Sequence, residues 1–336
     1  MINDKNGADY LTPKWSIRHD INETLTIDGV ARYGMLELAG FMWCSELCCM
    51  LLREERIEGV MNQDRLSKDE LNQDLLDISD KVVVVTGASS GLGMYFAEAL
   101  AGRGATVVMG ARRLEPLEAL SARINDEGGN TLAMSLDVTS RDSVIAAFDL
   151  VEETYGGADV VVNNAGVAPN KPFLEQTEQD WDQTLDTNLK GAFLVSQVFA
   201  ERVIKAQKER KLENKPLVQA SIINIASILA SRVIGNVAPY SASKAGLVQL
   251  TKAMALELAR YQIRVNAISP GYFETEMNSN FFQSEPGKQL VRRIPQRQLG
   301  QVEDLLGPLC LLASEASRYM TGSVITVDGG HLVSSL

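Results

Sequence analysis

Short apolar runs alternate with helix-length segments from Lys81 to the end of the chain, and this alternation constrains the fold more than any other feature. The runs read KVVVVT, ATVVMG, TLAMSLDV, DVVVNNAG, SIINIAS, IRVNAIS and SVITVDGG. Runs so uniformly apolar are typical of strands buried on both faces of a parallel sheet, with helices packed above and below it. We expect two of these helices over residues 92–102 and 238–261. The pattern predicts a doubly wound α/β fold.

The composition indicates a globular protein of the reducing cytoplasm. Of the 336 residues 45% are hydrophobic, which suffices for a buried core, and the net charge of −11 does not favour nucleic-acid binding. The cysteines form no spaced disulfide framework, because Cys44, Cys48 and Cys49 crowd together far from Cys310. Metal binding by CSELCC stays open but would need further ligands, and we predict no metal. The N-terminus, MINDKNGADY, shows no secretory signal.

The first 70 residues do not join the alternation, so the sequence predicts an extension over 1–70 and an α/β domain over 71–336. Within the extension, the stretch over 35–52 is apolar but is interrupted by Glu37 and Glu46. It falls short of the ~20 residues that a membrane span requires, and an amphipathic helix is expected instead.

A chain that started at Met61 would lack most of this extension. Residues 1–60 are therefore open to two interpretations. They are dispensable or an artefact of the assigned start, or they are part of the working protein.

A glycine-rich stretch, TGASSGLG, follows the first apolar run and precedes an apolar helix. Glycines at 87, 91 and 93 let backbone amides approach a pyrophosphate at a helix N-terminus, where partial positive charge favours an anion. The spacing is GxxxGxG rather than the commoner GxGxxG. In its strand-and-helix context the stretch predicts a dinucleotide site.

A tyrosine and a lysine stand four residues apart in YSASK, at the start of the long helix expected over 238–261. Positions i and i+4 share one face of a helix, so Tyr240 and Lys244 can meet. Catalysis and ordinary packing of a ring on a lysine stem both remain open on these two residues alone.

Read in order, six motifs resemble those of the short-chain dehydrogenase/reductase family in its compact subtype. They are TGASSGLG, NNAG, Asn188 in LDTNLKG, Ser227 in INIAS, YSASK and SPGYFET. The resemblance covers residues 71–336. It implies a seven-stranded Rossmann-type sheet, a nicotinamide cofactor, and a homodimer or homotetramer built on two long helices.

The resemblance assigns roles to four residues. Tyr240 is expected to be the general acid/base, Lys244 to tune it and hold the nicotinamide ribose, and Ser227 to bond the substrate oxygen. Asn188 would hold a water relay, or would merely satisfy backbone groups. An ammonium ~4 Å from the phenol is worth roughly 4 kcal/mol at an effective dielectric of ~20, so we expect Lys244 to bring the pKa of Tyr240 toward 7, with desolvation opposing it.

The same motifs predict the cofactor contacts. In SPGYFET, backbone near Phe273 and the hydroxyl of Thr275 match the groups that contact the nicotinamide carboxamide. The full predicted set is Gly87, Ser89, Ser90, Gly91, Leu92, Gly93, Arg112, Arg113, Asp137, Val138, Asn163, Ala165, Gly166, Tyr240, Lys244, Pro270, Gly271, Phe273 and Thr275. Beyond these motifs, residues 276–297 occupy the place of a substrate lid. Its Met277, Phe281 and Phe282 either line an apolar pocket or pack the lid.

The end of the second apolar run predicts a preference for NADP. An acid there would bond the free 2′-hydroxyl of NAD, but the chain has Ala111, followed by Arg112 and Arg113. A guanidinium suits a 2′-phosphate, although both arginines can also be merely solvated. Asp137 matches an acid that the family places near the adenine amine, away from this position.

These observations predict an NADP(H)-dependent carbonyl reductase or alcohol dehydrogenase acting on a small molecule. Two alternatives stay open. The first is a 3-oxoacyl carrier-protein reductase, in which basic residues near the pocket mouth dock an acidic carrier: Arg202, Lys205, Lys208, Arg210 and Lys211. The second is a non-catalytic dinucleotide sensor or scaffold, for which the N-terminal extension is the best argument.

Overall fold

The computed structural model describes residues 75–274 and 279–334. Each of the seven apolar runs overlaps one strand, and all strand pairs are parallel, in the order β3-β2-β1-β4-β5-β6-β7. The prediction of a doubly wound seven-stranded sheet is confirmed. The strands are β1 (Val82–Thr86), β2 (Thr106–Ala111), β3 (Asn130–Ser135), β4 (Val160–Asn163), β5 (Ala220–Ile225), β6 (Ile263–Pro270) and β7 (Val324–Val327).

Helices connect the strands across both faces of the sheet. They are α1 (Gly91–Ala101), α2 (Glu115–Asp126), α3 (Arg141–Tyr155), α4 (Glu178–Leu185), α5 (Gly191–Leu212), α6 (Ala238–Leu258), α7 (Ser279–Gln283), α8 (Glu285–Val291) and α9 (Leu306–Ala313). A π-helical turn, Asp186–Lys190, joins α4 to α5, and a 3₁₀ turn, Ala259–Tyr261, follows α6. The two predicted helices thus agree with α1 and α6 to within a few residues.

The core has two layers because successive side chains of a strand point to opposite faces of a sheet. In β1, Val83 packs with Phe96 of α1 on one face, whereas Val84 packs with Phe148 of α3 and Phe199 of α5 on the other. Burial of each such side chain contributes roughly 1.5–3 kcal/mol relative to leaving it exposed. Both faces of the strand are therefore apolar, as the runs required.

The strand order predicts a crevice at the carboxyl ends of the central strands. β1 pairs with β2 on one side and with β4 on the other, so the chain leaves β1 toward one half of the sheet and leaves β3 toward the other half. In open α/β sheets ligands bind at such a switch point, outside the carboxyl ends of the strands.

The basic residues proposed for carrier docking lie at the opposite edge of the sheet. α5 continues to Leu212, and near its end Gln207 bonds the backbone of Val218, two residues before β5 begins. This is the amino end of β5, whereas the crevice is at its carboxyl end. Arg202 is moreover paired with Asp149 at 2.5 Å and Glu152 at 3.0 Å. The predicted place of this stretch near the pocket mouth was wrong, because sequence proximity does not show in which direction a helix carries its end.

Several predictions concern residues outside the described ranges. These are the extension and its boundary at residue 70, the amphipathic helix over 35–52, the three clustered cysteines, Thr275 and Met277. Within the described ranges, none of the helices is sufficiently long and apolar to span a membrane.

Candidate active site

The glycine loop forms a tight turn between β1 and α1. Gly87 and Gly91 have φ of +67° and +58°, a region that side chains strongly disfavour. A Cβ on Gly87 would lie 2.7 Å from the Cα of Ala165, so this position has no room for a side chain. Gly93 lies beneath the loop, where a Cβ would meet the carbonyl of Gly87. The backbone before α1 is thus free to approach a pyrophosphate, and the turn fits a dinucleotide.

The loop after β4 is hydrogen-bonded to the end of β1 and to the glycine loop. The Thr86 hydroxyl accepts hydrogen bonds from the backbone amides of Asn164 at 3.0 Å and Ala165 at 3.1 Å. The side-chain amide of Asn164 in turn donates to the carbonyls of Thr86 and Gly87. These bonds fix two neighbouring walls of the crevice relative to each other.

Asn163, a predicted cofactor contact, is buried away from the crevice. Its Nδ2 donates to Ser196 Oγ and Asn224 Oδ1, both at 2.9 Å, which joins β4 to α5 and β5. The structure therefore does not bring the side chain of Asn163, the last residue of β4, to the cavity, and its role as a cofactor contact stays a prediction. Its neighbour Asn164 lines the cavity instead.

A cavity of about 1200 Å³ opens at the carboxyl edge of the strands. This exceeds a typical drug-sized pocket and leaves room for a dinucleotide together with a small substrate. Most of the predicted site residues line it: Gly87, Ser89, Ser90, Gly91, Leu92, Arg112, Arg113, Asp137, Val138, Ala165, Gly166, Ser227, Tyr240, Lys244, Pro270, Gly271 and Phe273. Among the described predicted residues, Gly93, Asn163 and Asn188 are not in its wall.

At one end of the cavity lie two arginines and the carboxylate of Asp137, which is already hydrogen-bonded within the chain. Ala111 is buried at the end of β2, and Arg112 and Arg113 beyond it are exposed. Asp137 accepts bonds from the backbone amide of Thr139 at 2.9 Å and from its hydroxyl at 2.7 Å. The backbone bond is the main cause that lowers the pKa of Asp137, and the charge of Arg112 adds to it. Asp137 is the one acidic side chain in the described part of the cavity wall.

The other end brings together three of the four predicted catalytic residues. Ser227 follows β5, and its Oγ accepts a hydrogen bond from the amide of Leu229 at 3.1 Å. The Ser227 side chain also lies close enough to the phenol of Tyr240, in the first turns of α6, to lower the pKa of that phenol. Lys244, only 4% exposed, has its Nζ 5.6 Å from the centre of the Tyr240 ring and donates to the carbonyl of Ile225 at 2.6 Å.

Burial controls the ionisation of this pair. Desolvation raises the pKa of Tyr240, and the neighbouring Ser227 hydroxyl opposes the rise. Desolvation also lowers the pKa of Lys244 to about 8. The shift of Tyr240 is opposite to the predicted lowering, because the ammonium lies over the ring and is bonded to Ile225 rather than to the phenol oxygen. In this state of the protein Tyr240 is a proton donor.

Asn188 supports the site from behind the cavity wall. It lies in the π-helical turn between α4 and α5, a feature often found at functional sites. Its Oδ1 accepts from the amide of Val167 at 2.8 Å, and its Nδ2 donates to the carbonyl of Val167 and to Ser243 Oγ. Asn188 thus satisfies backbone groups and ties the β4 loop to α6, while the water relay stays a prediction.

Several residues of the cavity wall were not predicted as site residues, among them Asn164 and Tyr272. Asn164 stands in the quoted NNAG motif, and Tyr272 in SPGYFET, so both motifs held a usable signal. Tyr272 lines the cavity, and Phe282 of α7 packs against its ring at 6.2 Å between centroids. Phe281 and Phe282 are not in the described cavity wall; their rings meet edge to face, with Phe282 buried and Phe281 half exposed.

Comparisons with known proteins agree with this geometry. The sequence model described as "Enoyl-(Acyl carrier protein) reductase" matches residues 87–331. The chain belongs to the short-chain dehydrogenase/reductase family. It is therefore an oxidoreductase of the nicotinamide-dependent type, as the motifs implied.

Individual family members match over nearly their whole length. Gluconate 5-dehydrogenase of Gluconobacter oxydans is 36% identical, over 78% of this chain and 98% of that protein. A 3-oxoacyl-[acyl-carrier-protein] reductase of Thermotoga maritima is 35% identical, over 76% and 99%. The crystal structure of a gluconate 5-dehydrogenase from Burkholderia cenocepacia, in complex with NADP and tartrate, has a TM-score of 0.71 and 34% identity, over 77% of this chain and 99% of that one.

Proposed function

We propose that this protein is an NADP(H)-dependent dehydrogenase that interconverts a small ketone and its secondary alcohol. The observation that carries the proposal is that Ser227, Tyr240 and the buried Lys244 line the same cavity as the glycine turn. When bound, the nicotinamide would supply the hydride in reduction and accept it in oxidation.

Each of these side chains has a chemical task in that reaction. The Ser227 hydroxyl holds the carbonyl oxygen in place, and Tyr240, kept protonated by its raised pKa, donates a proton to the oxygen as negative charge develops on it. The phenolate that results is stabilised by the neighbouring Ser227 hydroxyl, which lowers the pKa of Tyr240, and by the ammonium of Lys244. Oxidation runs the same proton transfer in reverse.

The preference for NADP rests on the arginine end of the cavity. Arg112 and Arg113 line it, and the nearby carboxylate of Asp137 is occupied by Thr139. A charge-assisted bond from a guanidinium to a 2′-phosphate is worth roughly 1.5–3 kcal/mol. The Burkholderia relative, which holds NADP, supports the same choice.

The substrate class is that of a hydroxy acid or related polyol, as the gluconate dehydrogenase relatives suggest. The Thermotoga relative keeps 3-oxoacyl reduction as a second candidate. Against it, the basic stretch that was to dock a carrier lies at the opposite edge of the sheet. We place the enzyme in the cytoplasm, because the cysteine pattern favours a reducing compartment.

The test is the turnover of a panel of ketones and alcohols, in which 5-keto-D-gluconate is the first compound tried. Turnover is measured as the change in NADPH absorbance. Wild type is expected to be active, and Tyr240→Phe to lose on the order of 10²–10⁴-fold in kcat while it binds NADPH as before. Full activity of Tyr240→Phe would refute the assigned acid. No turnover of any compound by wild type, with either cofactor, would favour the dinucleotide sensor.

A further inference from the structure

The hydroxyl of Tyr272 is left unexplained by the catalytic roles assigned above. Tyr272 follows β6 and lines the cavity, yet its hydroxyl oxygen is buried and has no hydrogen-bond partner. Buried unpaired side-chain atoms occur on five other described residues, none of which lines this cavity: Asn163, Gln219, Ser241, Arg264 and His331. Tyr272 therefore stands apart within the described chain.

Packing of the ring does not account for the hydroxyl. The ring meets Phe282 edge to face and lies 5.5 Å from the ring of His331, and it packs on an apolar cluster that includes Ile228 and Leu229. A phenylalanine would make all these contacts without the cost of a buried unpaired hydroxyl. Buried polar groups are nearly always hydrogen-bonded, and no described residue bonds this hydroxyl, which leaves a bound ligand or a water as its partner.

The position of Tyr272 limits what that partner can be. Tyr240 and Tyr272 pack on the same apolar cluster, and the Tyr272 phenol is near enough to influence the ionisation of Tyr240. Burial raises the pKa of Tyr272 while the charge of Arg232 opposes the rise, so the hydroxyl keeps its proton at neutral pH. A substrate whose oxygen is held by Ser227 and Tyr240 would therefore bring its neighbouring atoms close to Tyr272.

We propose that Tyr272 is a substrate-binding residue, whose hydroxyl bonds a hydroxyl group next to the reacting carbon of a polyhydroxylated ketone or alcohol. This inference rests on the proposed dehydrogenase function and narrows its substrate class. A site built to bond a substrate hydroxyl rejects an analogue without it, because the buried group of the protein is then left unpaired. Acyl thioesters with an unsubstituted chain beside the ketone offer no such hydroxyl.

Two ketones test the proposal directly. 5-Keto-D-gluconate and 5-oxohexanoate are six-carbon acids with the ketone at the same carbon, and only the first carries hydroxyls. Wild type is expected to prefer 5-keto-D-gluconate in kcat/KM. Tyr272→Phe should lower that value about tenfold or more, equivalent to about 1.4 kcal/mol, and should lower the value for 5-oxohexanoate by a smaller factor. The ratio of the two values is the readout.

Tyr319→Phe is the matched control, since Tyr319 is fully exposed and its change should leave both values unaltered. Tyr272→Phe should also melt no lower than wild type and bind NADPH equally well, because it removes an unpaired group. An unchanged ratio, an equal loss on both ketones, or a wild type that prefers 5-oxohexanoate would overturn the role of Tyr272 without touching the dehydrogenase proposal. A wild type that reduces no ketone in the panel would overturn both.

Discussion

At the scale of single residues, burial determines the chemistry of the catalytic pair. The sequence placed Tyr240 and Lys244 together and invited the conclusion that the lysine lowers the pKa of the tyrosine. In the folded chain both groups are desolvated, which raises the pKa of Tyr240 and lowers that of Lys244. Desolvation disfavours the charged form of each, which favours a protonated Tyr240 able to donate its proton.

The lowered pKa of Lys244 predicts how stability depends on pH. Its pKa falls from 10.5 in the unfolded chain to about 8 in the folded protein. Between these two pKa values Lys244 binds its proton more fully in the unfolded chain than in the folded protein. Its contribution to the free energy of unfolding therefore rises with pH across this range, and it is constant below about pH 8. From about pH 8 to about pH 10, wild type should gain about 2–3 kcal/mol in free energy of unfolding relative to Lys244→Met.

Urea unfolding of both proteins across that range measures the difference. Other groups with shifted pKa values, such as Tyr95 and Tyr155, are common to the two proteins and cancel. A difference that stays flat or falls with pH would show that the lysine is not desolvated as described.

Cofactor choice is also decided by individual residues. Arg112→Ala removes a guanidinium that lines the cavity directly after Ala111, so the preference for NADPH over NADH in kcat/KM should fall by about ten- to a hundred-fold. Ala111→Asp with Arg112→Ile should reverse the preference, since a carboxylate bonds the free ribose hydroxyl and repels the phosphate. Steady-state kinetics with both cofactors checks this. Equal use of both by wild type would contradict it.

At the scale of elements, the strands and the glycine loop could be predicted, because hydrophobic periodicity and the positions of glycines determine them. The seven strands followed from their apolar runs, and the glycine loop from Gly87 and Gly91, whose positive φ angles the fold requires. The sequence could not separate Asn163 from Asn164, because one residue of register decides whether a side chain enters the sheet interior or the cavity. Nor did helical periodicity predict the π-helical turn, which positions Asn188 against Val167.

Dependence on tertiary structure also explains why Tyr272 was not predicted as a site residue. Tyr272 stood in a recognised motif, but its importance lies in an unpaired hydroxyl, which is a property of its surroundings rather than of its residue type. The basic stretch at the end of α5 was assigned to the wrong edge of the sheet for a similar reason. Both outcomes arose because the surroundings of a residue in the folded protein are not given by its residue type or its position in the sequence.

At the scale of the whole molecule, α5 and α6 present apolar surface that a monomer would leave in water. Phe193 is 41% exposed on α5, and Leu256 is 84% exposed on α6. A shallow cavity between the two helices is lined by Leu189, Phe193, Gly246 and Leu250, among others. Exposed apolar surface of this kind marks an interaction site. We propose that two copies of the chain pair along these helices, in a homodimer or a homotetramer.

A charge in the middle of this surface tests the assembly. Phe193→Glu would bury a carboxylate against the apolar residues of a second copy, at a cost large enough to weaken or abolish the pairing. Light scattering after size exclusion should show wild type as a dimer or tetramer and Phe193→Glu shifted to a smaller species. Leu217→Glu, a change at an exposed apolar residue outside both helices, should leave the assembly intact. A monomeric wild type, or a Phe193→Glu variant with unchanged mass, would show that these helices do not form the interface, and the exposed side chains of α5 and α6 would then need another partner.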